Sequence, residues 1–453
     1  MNIIIAGAGK VGGTLTKILT AEGHDVTVID RDLQVVNDIS NKADVACVLG
    51  SATNPESLSE AGAKEADIII AATEVDEINM VCGMAAKGLG TKHVIARIRD
   101  TEYLTQREFF QNTLGLSFII NPEYESAKEI SRTLRFPGAQ RVDEFSKSQA
   151  ELIEYRVRAD SRCKGIPLLQ LSQVFKAKVL AGAVVRGNEA IIPNGDFVLC
   201  EGDVVTFVGS AKELRKLFIA MGEYKKPVKN AVIMGGGRIA VYLTALLEET
   251  GIEVTIIEND PERCKALTDL APDAKIIYGD ARKNEVLSEE GVGTADAFVA
   301  LTGNDADNII TSIYASKCGV DKIVTKVDSE HYTDILDLDT TITPKTVIAQ
   351  QIARYVRALN NSQASSSIET LYRLANGKAE ALEFKVAENS RCAGIPLKEL
   401  KLKPNVLVAA IIRRNKTVLP DGATEILPGD HAIIVTTPGW LTELDNIAEE
   451  ADA

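Results

Sequence analysis

The chain repeats itself, and no other feature constrains its fold as much. "NIIIAGAGKVGGTL", which begins at Asn2, returns as "NAVIMGGGRIAVYL", which begins at Asn230, with Gly7 answered by Gly235. "LGSATNPESLSEAG" from Leu49 is answered by "YGDARKNEVLSEEG" from Tyr278, and "ATEVDEIN" from Ala72 by "LTGNDADN" from Leu301. "SRCKGIPLLQL" from Ser161 returns as "SRCAGIPLKEL" from Ser390, and "IPNGDFVLCEGDVVTFVG" from Ile192 as "LPDGATEILPGDHAIIVT" from Leu419. The matches are collinear, and every one is displaced by nearly the same half-chain offset, which means a tandem duplication. Whatever one half folds into, the 453 residues must fold into twice.

Each half changes character partway. In the first, "NIIIAGA", "DVTVIDR", "VACVLG", "ADIIIAAT", "HVIARIRD" and "SFIINP" are short apolar runs of the kind buried on both faces. Between them "GGTLTKILTAEG", "DLQVVNDISNK", "PESLSEAG", "EINMVCGMAAKGLG" and "YLTQREFFQNTLG" carry helical spacing. Strands alternating with helices predict a doubly wound parallel sheet. A connecting helix follows Pro122, ended by Pro137-Gly138, and its counterpart starts at Pro344 and runs to about 359. From about 150 and about 380 the runs become alternating strands punctuated by "NG", "DG", "EGD" and "PGD" turns, which predict a small α+β module. The expected domains are 1–120, 140–222, 228–345 and 368–453, with Lys226-Pro227 at the join and the Ser-rich stretch 360–367 as a flexible link.

The chemistry-bearing motif is the turn after the first strand. Gly7-Ala8-Gly9-Lys10-Val11-Gly12 fits G-x-G-x-x-G between a predicted strand and a predicted helix. There the first glycine makes the tight turn, the second admits a pyrophosphate to the backbone, and the third lets helix and strand pack. The free N–H groups at the helix start, Lys10 and Val11 among them, face the phosphates. Asp30 ends the next strand, at the separation from Gly7 that the motif requires of a carboxylate accepting from ribose hydroxyls. The second copy reads Gly235-Gly236-Gly237-Arg238-Ile239-Ala240, and Glu258 stands to Gly235 as Asp30 stands to Gly7. Both acids disfavour a 2′-phosphate, although Arg31 beside Asp30 softens that. The competing account is a turn kept glycine-rich for packing alone.

Thr73 and Thr302 end the fourth strands, at the carboxyl edge where ligands of such sheets lie. Asp76, Asn79, Asp305 and Asn308 start the next helices, as caps or as ligand contacts. Arg97 and Arg99 alternate on the fifth strand and are placed to reach a phosphate, whereas the second half has Lys326 and Asp328. The two sites are therefore not expected to be equivalent.

Composition narrows the function classes. A net charge of −14 argues against a nucleic-acid partner and against electrostatic attachment to anionic lipid. Seven scattered cysteines without C-x-x-C suggest reduced thiols rather than disulfides or a thiolate metal site. No apolar run approaches the ~18 residues of a membrane span, so a soluble protein is expected. His24, His93, His331 and His431 do not recur between halves and read as surface or turn residues. No motif supplies an acid/base pair beside the glycine turn, so the reading is a sensor without catalytic residues, not an enzyme.

The order strand–GAGKVG, Asp30, "ATEVDEIN", "ARIRD" and "IPNGDFVLCEGDVV", given twice, resembles the TrkA family over essentially the whole chain. These are peripheral subunits of Trk-type potassium uptake systems, built from two tandem RCK (regulator of potassium conductance) units. The resemblance implies two Rossmann-like doubly wound parallel-sheet domains, each followed by a small α+β RCK C-terminal module. It implies a cytoplasmic protein that binds NAD(H), and in some members ATP or ADP. It also implies a homo-oligomeric ring that gates a membrane-embedded Trk potassium-translocating subunit, peripheral to the membrane through that partner and without insertion of its own. The family's nucleotide positions fall on Gly7, Gly9, Gly12, Asp30, Thr73 and Arg97, and on Gly235, Gly237, Glu258, Asp280 and Thr302. Lys10, Val11, Arg31, Ser51, Arg238 and Ile239 complete the expected set. The family's G-D-A turn is kept as Gly279-Asp280-Ala281 but reads Gly50-Ser51-Ala52 in the first half, where Ser51 hydrogen-bonds without charge. Two other accounts stay open: an NAD-dependent oxidoreductase, and an RCK-type regulator of another cation transporter.

Overall fold

The apolar runs pair as parallel strands. β1 (Asn2–Ala6), β2 (Asp25–Asp30), β3 (Ala46–Leu49), β4 (Ile68–Ala71), β5 (His93–Arg97) and β6 (Phe118–Ile120) form one sheet in the order β3-β2-β1-β4-β5-β6. The order reverses between β1 and β4, which makes the crevice at their carboxyl ends the switch point of a doubly wound fold. Ile68, Ile69, Ile70 and Ala71 of β4 are all fully buried, since helices cover both faces. Each isoleucine so buried contributes roughly 1.5–3 kcal/mol over leaving it in water. The computed structural model describes residues 1–135, 141–145, 149–187, 189–223, 228–329, 340–363, 368–374, 378–438 and 441–449. Pro137-Gly138, Lys226-Pro227, His331 and residues 364–367 of the Ser-rich stretch lie outside them.

The helices of this half are α1 (Lys10–Ala21), α2 (Leu33–Ser40), α3 (Pro55–Glu60), α4 (Asp76–Leu89), α5 (Thr101–Thr105), α6 (Arg107–Leu114) and α7 (Pro122–Arg135). The stretch from Tyr103 to Gly115, expected as one helix, is two. Gln106 leaves helical geometry (φ −109°, ψ 28°), and Asp100 caps the first piece through the Glu102 N–H.

The first C-terminal module contains β7 (Arg141–Phe145), β8 (Ala150–Arg156), α8 (Leu168–Phe175), β9 (Leu180–Arg186), β10 (Glu189–Ile191), β11 (Val204–Gly209) and α9 (Ala211–Met221). Its antiparallel sheet runs β10-β9-β11-β8-β7. One face buries Ile153, Tyr155, Val205 and Phe207 against Leu171 of α8 and Leu214 and Phe218 of α9.

The second half repeats the plan. β12 (Asn230–Met234), α10 (Arg238–Glu248), β13 (Glu253–Glu258), α11 (Pro261–Leu270), β14 (Lys275–Tyr278), α12 (Asn284–Glu289), β15 (Ala297–Ala300), α13 (Asp305–Lys317), β16 (Lys322–Lys326) and β17 (Thr340–Ile342) give the sheet β14-β13-β12-β15-β16-β17. α14 (Pro344–Gln363) follows and continues past the expected end at 359, so residues 360–363 are helix rather than link. β18 (Ile368–Leu374), β19 (Ala379–Lys385), β20 (Val406–Arg413), β21 (Lys416–Val418) and β22 (His431–Thr436) make the last sheet, β18-β19-β22-β20-β21.

The repeats associate like with like. One unit holds residues 1–131 and 230–356, and the other holds 132–229 and 357–453. In the first, the two parallel-sheet domains meet through Phe118 stacked on Tyr355 at 4.6 Å and Tyr124 edge-on to Tyr242 at 5.6 Å. In the second, the free faces of the two antiparallel sheets bury Phe145, Leu152 and Val208 with Tyr372, Ile433 and Val435. No helix among the described residues is long and apolar enough to cross a membrane.

Candidate functional site

The three glycines of the first turn answer to different constraints. Gly7 has φ +94°, and a Cβ on it would stand 2.9 Å from the Thr73 backbone nitrogen. A Cβ on Gly12 would stand 1.9 Å from the Gly7 carbonyl oxygen, so helix and strand close only over glycine. Gly9 differs from both. Its backbone is ordinary (φ −64°, ψ −160°) and a Cβ there would meet no protein atom within 4 Å. Gly237 repeats this, with φ −69°, ψ −177° and the same open space. Packing alone therefore accounts for the first and third glycines and not for the second.

No side chain caps the start of α1 or of α10, although Asp32, Asn54 and Asp260 cap neighbouring helices. The first-turn N–H groups stay available, with the helix dipole behind them. Asp30 braces the turn from the next strand: Oδ2 accepts from the Ala8 N–H at 2.7 Å and Oδ1 from the Asp32 N–H at 3.0 Å. Glu258 does the same with its longer stem, Oε2 accepting from Gly236 at 2.7 Å and Oε1 from Asn259 and Asp260. An ionised carboxylate has about four acceptor positions, so each acid keeps capacity for hydroxyl groups.

The loops after β4 and β15 are tied by asparagine. Asn79 accepts from the Thr73 N–H (2.9 Å) and hydroxyl (2.7 Å), and donates to the carbonyls of Thr73 (3.1 Å) and Arg97 (2.8 Å). Asn308 repeats all four bonds to Thr302 and Lys326. Asp76 accepts from the N–H groups of Arg99 and Asp100, and Asp305 from Asp328 and Ser329. These four side chains thus fix the crevice wall rather than cap their own helices. The Thr73 hydroxyl donates to Asn79, which leaves it an acceptor only toward anything in the crevice.

Arg97 and Arg99 part company. Arg97 ends β5, gives one N–H to the Thr73 carbonyl at 2.9 Å, and keeps a buried Nε without a partner. Burial, then the charge of Arg99, push its pKa below the usual guanidinium range, but a guanidinium stays charged. Arg99 lies past the strand end and binds Glu123 through Nε at 2.7 Å, so it is committed to that carboxylate.

The second half opens a cleft of about 410 Å³, lined among others by Gly235, Gly237, Glu258, Asp280, Thr302 and Asp307, within the size range of small-molecule sites. It brings five of the expected residues together. Arg238 and Ile239 open α10 beside it, Ile239 buried in the packing. Arg282, which the motif reading passed over, grips Asp280 with two bonds of 2.9 and 2.8 Å and holds its carboxyl down at about 2, first through that hydrogen bond. Its signal was a basic residue two positions after the acid. In the first half Ser51 bonds Thr53 instead, at 2.9 Å. Arg31 is exposed, Val11 half-buried, and Lys10 reaches across to Asp328 of the other half at 3.1 Å.

The TrkA-N domain model matches residues 3–122 and 231–344, and the TrkA-C domain model matches 152–220 and 381–448. The chain belongs to the TrkA family. A Trk system potassium uptake protein TrkA homolog of Archaeoglobus fulgidus is 32% identical, over 99% of each chain. The TrkA of Vibrio alginolyticus is 30% identical over 96% of this chain and 95% of its own. Among solved structures, the GsuK RCK domain shares the fold with a TM-score of 0.62 at 18% identity, over 96% of this chain and 92% of that one. The GsuK channel bound to NAD aligns equally well, with a TM-score of 0.62 at 18% identity, over 96% of this chain and 77% of that one. Two family N-domains with parallel sheets, each followed by a family C-module with an antiparallel sheet, are what the duplicated sequence encodes.

Proposed function

We propose that the chain is the regulatory subunit of a Trk-type potassium uptake system, and that its glycine turns hold NAD(H), or an adenine nucleotide such as ATP or ADP, as a signal. One observation carries the reading: Gly9 and Gly237 are glycines that the protein's own packing does not need. Space left at that position, in front of an uncapped helix start, suits a pyrophosphate against the backbone. Gly7, Gly9, Lys10, Val11, Gly12, Asp30, Arg31, Ser51, Thr73 and Arg97 form the first site. Gly235, Gly237, Arg238, Ile239, Glu258, Asp280 and Thr302 form the second. The unpaired Nε of Arg97 adds a buried donor aimed at an acceptor the protein does not supply. The TrkA relatives and the NAD-bound GsuK channel support the same reading from outside.

Such a ligand supplies no bond-making here. It acts by binding one arrangement of the paired domains better than another. Lys10 is placed for that, because the residue that opens α1 is also the ion-pair partner of Asp328 in the other half. A phosphate at the helix start competes with Asp328 for the same ammonium, and so biases how the halves hold each other. The membrane partner is a Trk-type potassium-translocating subunit that a ring of these chains regulates from the cytoplasmic face.

Isothermal titration with NADH, and co-purification with a Trk-type membrane subunit, test the two links separately. Asp30→Ala is expected to weaken NADH at least about tenfold, through lost ribose contacts and a looser turn. Wild-type affinity in that variant, or steady oxidation of NADH by the isolated chain, would overturn the reading.

A further inference from the structure

We propose that the second C-terminal module carries a divalent-metal site formed by Glu369, Glu383 and His431, best matched to Zn²⁺. The three residues come from adjacent strands, β18, β19 and β22, and their ligand atoms all lie within 4.8 Å of one another. Glu369 Oε2 stands 2.6 Å from His431 Nδ1, and Glu383 Oε1 stands 3.2 Å from it. Nδ1 is nevertheless buried and makes no hydrogen bond to either. A buried ring nitrogen with two carboxylate oxygens gathered beside it presents the donor atoms of one shared cation. In a tetrahedral Zn²⁺ site with bonds of about 2.1 Å, ligand atoms are roughly 3.4 Å apart, so Glu383 already stands near its place and the exposed Glu369 side chain moves outward to admit the ion.

Two further features point the same way. The ladder between β18 and β19 slips between Ile368 and Thr370, which makes Glu369 the extra residue of a bulge. Bulges re-aim side chains, often beside sites. This one lets Glu369 reach His431 while Ile368 stays in the core. Glu383 has a side chain only 2% exposed, and a carboxylate away from water attracts a cation more strongly than one at the surface. The duplication supplies the control. Lys385 pairs with His431 as Arg156 pairs with Val204, and Glu383 faces Thr370 where Glu154 faces Arg141. The first module thus has valine at the histidine position and arginine opposite its glutamate, so the cluster is not a requirement of the fold. Lys385 is exposed, leaving its ammonium free to turn toward solvent.

One imidazole and two carboxylates are the donor types of three-ligand zinc sites with an open fourth position. An ion there would pin the edge strand β18 to β19 and β22. The test uses the full-length chain stripped with chelator, titrated with Zn²⁺ alone, and followed by calorimetry, metal content and thermal midpoint. One equivalent is expected to bind and to raise the midpoint. His431→Gln and Glu369→Gln are each expected to weaken it about tenfold or more and to abolish the rise. Glu369 is on the surface, so its variant folds even if a change at the buried Glu383 does not. No uptake by the wild type, or equal uptake by wild type and both variants, overturns the proposal; the second result would place the ion elsewhere, at exposed Cys200 for example.

Discussion

The two crevices share a frame and differ in charge. Asn79 and Asn308 make the same four bonds, and Asp30 and Glu258 hold the same turn position. Around that frame the first half places uncharged Ser51 and the half-spent Arg97. The second places Asp280 locked to Arg282, with Asp307 and Glu258 lining the same cleft. The second cleft thus presents three carboxylates and one guanidinium, Arg282, that stands between two of them; the first half presents Asp30 and Arg97. Duplication has kept what holds the backbone and varied what faces a ligand. On this comparison the first crevice is expected to be the stronger phosphate site.

The largest expected effect tests whether the turns are equally tight. Gly12→Ala drives a Cβ into the Gly7 carbonyl, and overpacking of that kind costs about 3 kcal/mol. The second half already carries Ala240, fully buried, at this position. Ala240→Gly is expected to lose only about 1 kcal/mol, mostly helix propensity. Denaturant midpoints decide it, and equal losses would mean that the two turns do not differ. Next come Asn79→Ala and Asn308→Ala, each stranding several buried backbone groups for roughly 2–3 kcal/mol. The two losses should agree; a gap above about 1 kcal/mol, well outside the scatter of a single hydrogen bond, would break the idea of a common frame.

The duplication, the parallel sheets and the acid at each second strand were legible because each has a short-range signature. Apolar runs announce buried strands, and Asp30 and Glu258 sit at a fixed distance from their glycines. The bracing role of Asn79 was not legible, because an asparagine in the first turn of a helix pattern looks like a cap until the fifth strand comes beside it. Arg99 misled for the opposite reason: alternation put it on a strand that stops at Arg97, and Glu123, far along the chain, claims it. The break at Gln106 turns on backbone angles at a residue that is neither glycine nor proline, so no breaker marks it in the sequence. His431 gave no signal at all, since its two carboxylate neighbours arrive from different strands.

A smaller effect separates ligand glycine from packing glycine. Gly9→Ala and Gly237→Ala meet no protein atom, so each should cost less than about 1 kcal/mol of stability, the penalty of alanine at a helix N-cap. NADH affinity should fall about tenfold in Gly9→Ala and less in Gly237→Ala, as titration calorimetry would report. An unchanged affinity in both would return these glycines to the packing account.

The smallest effect concerns the clasp between the halves. Lys10 meets Asp328, but their counterparts are Arg238 and Arg99, both cationic, so the clasp exists on one side only. Burial pushes the Asp328 carboxyl up, yet the Lys10 hydrogen bond and the charges of Lys326 and Lys10 outweigh it, and the net shift is downward. A depressed carboxyl contributes stability that is present above its unfolded value, about 3.9, and is lost as pH falls through the lower folded value. Lys10 is 73% exposed and Asp328 36%, so screening limits the pair to under about 1 kcal/mol. Lys10→Ala should therefore be slightly less stable than wild type at neutral pH and low salt. The two should converge in acid, where Asp328 is protonated, and at high salt, where the pair is screened. NADH should narrow the neutral-pH difference too, because a phosphate that takes the Lys10 ammonium leaves the wild type without its clasp. A difference that survives acid and salt would mean that Lys10 acts through the packing of its stem, and the coupling of turn to neighbouring half would then need another carrier.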